Sequence, residues 1–138
     1  MSQDKFFRKE LAKELNRVEA LMKKESSVEK KIYYFSAAYG ATSRTFRYSF
    51  SRDVLLADFV LQTCYNLLVD RANRIKNGDN TVKVEKIHFE KICEGLKILA
   101  ELLEKEENIQ EPLEILLTTT FSITGPGNYL REKGEINL

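Results

Sequence analysis

The sequence is short of the residues that carry most protein chemistry. It has one histidine, two cysteines, two prolines and six glycines in 138 residues. So few glycines and prolines exclude a collagenous or low-complexity chain. Cys64 and Cys93 are too few for the disulfide framework of a small secreted domain or for a structural zinc site. Both are expected to be reduced and buried. No apolar run approaches the ~20 residues that span a bilayer. The start, Met1-Ser2-Gln3-Asp4-Lys5-Phe6-Phe7, lacks the basic and then apolar pattern of a secretory leader. The expectation is a cytoplasmic protein with no membrane partner.

The scarcity of histidine removes several chemistries. Glu85 and His88 have the Glu-x-x-His spacing of di-iron bundles, but such a site needs a second copy of the motif. A thiolate–imidazole pair of Cys64 or Cys93 with His88 is disfavoured, because both cysteines fall on apolar helix faces, where a thiol is inert. Glu101 with Glu104, and Glu111 with Glu114, share helix faces as magnesium ligands would. No aspartate follows Asp79 to complete such a set, so a solvated face is expected. Neither a Gly-x-x-x-x-Gly-Lys-[Ser/Thr] phosphate loop nor a Gly-x-Gly-x-x-Gly turn is present. Gly125-Pro126-Gly127-Asn128 reads as a turn in the tail. No catalytic residue, no metal and no cofactor is assigned.

What the chain has is helical periodicity. Phe7, Leu11, Leu15, Val18 and Met22 form one apolar stripe. Ser26-Ser27-Val28-Glu29 is a capping-box pattern, so a first helix ends near Glu25 and a second begins near Ser27. The second carries Val28, Ile32, Phe35, Tyr39, Phe46 and Phe50 at helical spacing. Gly40 is a possible break in it. Ser51 caps a third helix, whose stripe is Val54, Ala57, Leu61, Cys64, Leu68, Ala72 and Ile75. Leu55, Leu56, Phe59, Val60 and Leu67 widen its apolar surface, which predicts a central, buried helix. Asn77-Gly78-Asp79-Asn80 ends it. Thr81–Val84 reads as the entry to a fourth helix carrying Phe89, Ile92, Leu96, Leu99 and Leu103. Pro112 suits the first turn of a short fifth helix.

The reading is therefore an all-α bundle of four long helices plus a short fifth helix, over residues 1–124. An irregular C-terminal tail covers 125–138.

Charge is unevenly placed. Residues 1–100 carry 19 basic and 13 acidic side chains; residues 101–138 carry 3 and 8. Between Lys30 and Arg52 there is no acidic residue at all. This stretch holds Lys30, Lys31, Arg44, Arg47 and Arg52 interleaved with Tyr33, Tyr34, Phe35, Tyr39, Phe46, Tyr48 and Phe50. On the side of the helix away from its apolar stripe lie Tyr33, Ala37, Gly40, Ala41, Arg44 and Tyr48. Small residues there admit another backbone closely. Arginine and tyrosine favour interface hot spots; they also suit phosphates and stacked bases.

Lys30, Tyr33, Ala37, Gly40, Ala41, Arg44, Arg47, Tyr48 and Arg52 are accordingly the candidate interaction surface. Asp58, at the margin of the third helix's stripe, needs a partner, and a buried ion pair with Arg44 is expected. The function expected is non-catalytic: a protein that works by protein–protein interaction, either self-associating, as a dimer, or as an accessory subunit. A nucleic-acid-binding accessory protein using residues 30–52 is the alternative, and an enzyme of unrecognised type ranks third.

Overall fold

The computed structural model describes residues 2–123. The expected tail, with its Gly125-Pro126-Gly127 turn, lies outside the described residues. The architecture is all-α, with five helices among the described residues: α1 (Ser2–Lys24), α2 (Val28–Tyr48), α3 (Arg52–Lys76), α4 (Lys86–Lys105) and α5 (Gln110–Ser122).

Local chemistry sets the boundaries. The Ser27 hydroxyl accepts from the Lys30 N–H and caps α2; the Ser51 hydroxyl accepts from the Val54 N–H and caps α3. The reciprocal half of the first cap comes from upstream rather than from Glu29, because Glu25 accepts from the Ser26 and Ser27 N–H groups. Helix α2 runs unbroken through Gly40, and it stops at Tyr48 instead of reaching Phe50. Residues 81–84 are not helical. They cross the end of the bundle, and Val82 is buried there as a plug. The α4 N-terminus is closed by the only histidine: His88 Nδ1 accepts from the Glu85 N–H at 2.9 Å.

Packing runs α1–α2–α3–α5–α4 and back to α1. Side-chain bonds give the directions. Arg8 reaches the Leu103 carbonyl while Cys93 reaches that of Glu19, so α1 and α4 are antiparallel. Thr42 meets Asp58, and Lys76 meets Glu29, so α2 and α3 are antiparallel. Cys64 meets Thr120, and Arg71 meets Ile123, so α3 and α5 run the same way. Leu11, Leu15, Met22, Phe35, Leu61, Leu68, Leu96, Leu99 and Leu116 meet in one core. Each such side chain contributes roughly 1.5–3 kcal/mol by leaving water.

Helix α3 is not the central helix that its apolar composition suggests. It packs along its length on α2 and α5, α1 reaches only its N-terminal end through Arg8, and Leu56 and Phe59 face outward. Helices α4 and α5 approach closely at Gly95. A Cβ there would stand 2.9 Å from Leu116 Cγ. At Gly40 the nearest atom to a Cβ is Arg44 Nη1, at an ordinary 3.7 Å.

The two glycines therefore respond oppositely to alanine. Gly40→Ala should stabilise the fold by up to ~1 kcal/mol through helix propensity. Gly95→Ala should destabilise it by about 1–2 kcal/mol, because overpacking outweighs the propensity gain. Urea denaturation of both variants checks the pair of signs.

Candidate interaction surface

The outer face of α2 is built by the helical repeat. With Ile32, Phe35, Ala38 and Thr42 turned into the core, Lys30, Tyr33, Ala37, Arg44, Arg47 and Tyr48 must point away from it. All six are exposed, Tyr33 by 72% and Tyr48 by 67%. Gly40 lies half-buried among them under the Arg44 guanidinium. Arg52, the first residue of α3, extends the face. Ala41 does not belong to it: at 1% exposure it packs in the core. Its position on the wheel falls at the boundary of the two faces, and the neighbouring helix covers it.

The expected Asp58–Arg44 ion pair is absent. Asp58 instead accepts a hydrogen bond from the buried Thr42 hydroxyl at 3.0 Å. That hydroxyl, two residues before Arg44 and turned into the core, takes the place of the guanidinium, and Arg44 is left at the surface.

The electrostatics of this face follow from what happens beside it. Arg8 is buried where α1, α3 and α4 meet. Its guanidinium donates to Asp4 at 2.9 Å, to the Ser51 hydroxyl at 2.8 Å and to the Leu103 carbonyl at 3.3 Å. Asp53 lies 3.7 Å away. Asp4 also accepts from the Ser49 hydroxyl. That hydrogen bond and Arg8 hold its carboxyl below the usual carboxylate range. The acidic groups nearest the α2–α3 corner are thus spent inward. Lys30, Arg44, Arg47 and Arg52 make no ion pair within 4 Å among the described residues, whereas Arg8, Arg71 and Arg74 all do. Lys31 is also removed from the surface set. Its ammonium donates to the Met22 carbonyl and lies over the Phe89 ring.

Aromatic side chains that periodicity placed elsewhere join this corner. Phe50, in the turn after α2, is 84% exposed and meets Phe46 edge-on. Phe7 of α1 stacks on Tyr48 at 5.7 Å between centroids, and Phe6 packs against Phe7. The first two turns of α1 carried a signal for this, the consecutive Phe6-Phe7, of which a single stripe buries only one. Phe59 on α3 is exposed by 57%.

The other candidates resolve as structure. Cys64 and Cys93 are free and buried. Burial pushes the Cys64 thiol up to about 11 and the Cys93 thiol upward as well, so neither is a ready thiolate. Glu101 pairs with Lys105 at 2.9 Å, and Glu104, Glu111 and Glu114 are exposed. Among the described residues no three His, Cys, Asp or Glu side chains converge to hold a metal ion, and no helix is long and apolar enough to cross a membrane. A hollow of about 900 Å³ between the ends of α1, α2 and α4 has Val28, Val84, Phe89 and Cys93 on its wall, and its rim mixes lysine with glutamate. Comparison with protein-family models, curated proteins and solved structures finds no match to this chain.

The two arginines should separate cleanly in denaturant. Arg8→Ala leaves a set of charge-assisted bonds unmade and should cost about 2 kcal/mol. The Asp4 part of that contribution is present above the ordinary carboxylate pKa. It is lost as pH falls through the lowered folded value. Arg44→Ala should change stability by under about 0.5 kcal/mol, as for a surface residue. A large loss at Arg44 would restore an ion-pair role.

Proposed function

We propose that this is a non-catalytic interaction protein that binds an acidic protein surface through the outer face of α2 and the adjoining α2–α3 corner. The observation that carries the reading is the set of unpaired cations, Lys30, Arg44, Arg47 and Arg52, beside strongly exposed Tyr33, Tyr48 and Phe50. Large aromatics left in water are costly in a monomer and effective at the centre of an interface. Guanidinium groups with no internal acceptor are free to take a partner's carboxylates in two-pronged bonds.

A second reading rests on the same cations. Exposed tyrosines beside arginines suit single-stranded nucleic acid, with bases stacked on the rings.

Affinity capture from the cells of origin discriminates the two. The tagged chain should retain a protein in fixed stoichiometry, and an Arg44→Glu/Arg47→Glu variant with an unchanged melting temperature should lose it. Equal capture by the variant contradicts the reading. Retention of oligonucleotides at about 50 mM salt, with log affinity falling by about 0.7 per phosphate contact per unit of log salt, would establish the second reading. Tyr48→Ala would then cost ~1–3 kcal/mol of binding without changing the salt slope.

A further inference from the structure

We infer that the acidic partner of the α2 face is the α5 face of a second copy of this chain, so that the protein assembles head to tail. This rests on the reading of α2 as the contact surface and names its occupant.

The outer stripe of α5 is Glu111, Glu114, Thr118 and Phe121, all exposed. Helix α5 has no basic residue, and neither glutamate is in an ion pair among the described residues. A shallow hollow runs along this face beside Ile115. Read backwards, the outer stripe of α2 is Arg47, Arg44, Gly40 and Ala37. Its sequence steps are three, four and three. The steps from Glu111 through Glu114 and Thr118 to Phe121 are also three, four and three. Two antiparallel helices in this register set Arg47 against Glu111 and Arg44 against Glu114. Gly40 then receives Thr118, and Ala37 makes room for the Phe121 ring. Each stripe is about 15 Å long at 1.5 Å rise per residue, so the four positions stay in step along it.

The bundle geometry permits this pairing without inverting the second molecule. Helix α2 packs on α1 and α3, so α5 lies across the bundle from it, and the two helices run in opposite directions. A second copy in nearly the same orientation therefore offers its α5 to the first copy's α2. Because the two surfaces differ, each addition leaves one basic and one acidic face free, and the assembly is heterologous. The alternative, two antiparallel α2 faces meeting about a twofold axis at Gly40, would bring Lys30 of one copy near Arg52 of the other and offer no carboxylate to Arg44 or Arg47.

One helix pair is small beside the ~800 Å² per partner of a standard interface, so association should appear at high micromolar concentration and low salt. Sedimentation velocity tests it. The wild-type chain should grow beyond two copies as concentration rises and return to the 16.0 kDa monomer in half-molar salt. Arg44→Glu/Arg47→Glu and Glu111→Arg/Glu114→Arg should each be monomeric with unchanged circular dichroism. Mixed one to one, the two variants restore opposite charge at both contacts, one with the native pairs and one with the pairs reversed, and should regain association beyond two chains. A wild-type chain that stays monomeric overturns the inference, as does a Glu111→Arg/Glu114→Arg variant that still self-associates. In either case, loss of another captured partner on Arg44→Glu/Arg47→Glu would leave the α2 reading standing.

Discussion

A guanidinium can be buried only where its N–H groups find acceptors, and Arg8 finds them on three helices. Asp4 lies on its own helix, Ser51 and Asp53 on and before α3, and the Leu103 carbonyl on α4. The contact closes one end of the bundle. Asp4 and Asp53 turn toward it, while Arg47 and Arg52 are in no ion pair among the described residues. The same side chain joins α1 to α3 and α4.

The second organising feature is the separation of charge across the molecule. Among the described residues, the arginines of α2 and the glutamates of α5 lie on helices that are not packed neighbours. Within α4, lysine and glutamate alternate and partly pair, as Lys105 does with Glu101. The unbalanced charges are therefore the arginines of α2 and the glutamates around the α4–α5 turn. A dipole of this form carries little information about fold, but it sets which surfaces attract one another.

Much of the architecture was legible in the sequence because helix boundaries depend on local chemistry. The serines at 27 and 51 name two helix starts, and the Leu/Ile stripes name the buried faces. What was not legible depends on how many neighbours a helix has. Phe59 and Leu56 lie on a helix rich enough in apolar residues to be central, yet α3 packs along its length on only two others, so part of its apolar surface faces water. Phe50 continues the apolar repeat of α2 on paper, but the helix stops two residues earlier and the ring swings outward. The stack of Phe7 on Tyr48 joins residues forty-one apart, beyond any local pattern. Of the candidate surface residues, Ala41 lies in the core and Gly40 is half-buried, and the partner of Asp58 is a hydroxyl on the helix next to it.

The central claim is the pairing of α2 with α5 of another copy, and cysteine cross-linking tests its register directly. The native thiols are buried and do not compete. Chains carrying Gly40→Cys mixed with chains carrying Thr118→Cys, under mild oxidant at low salt, should form a disulfide between the two variants at a rate well above that of either variant with itself. Rapid cross-linking of Gly40→Cys with its own kind, and none with Thr118→Cys, would show a twofold α2–α2 contact and contradict the account.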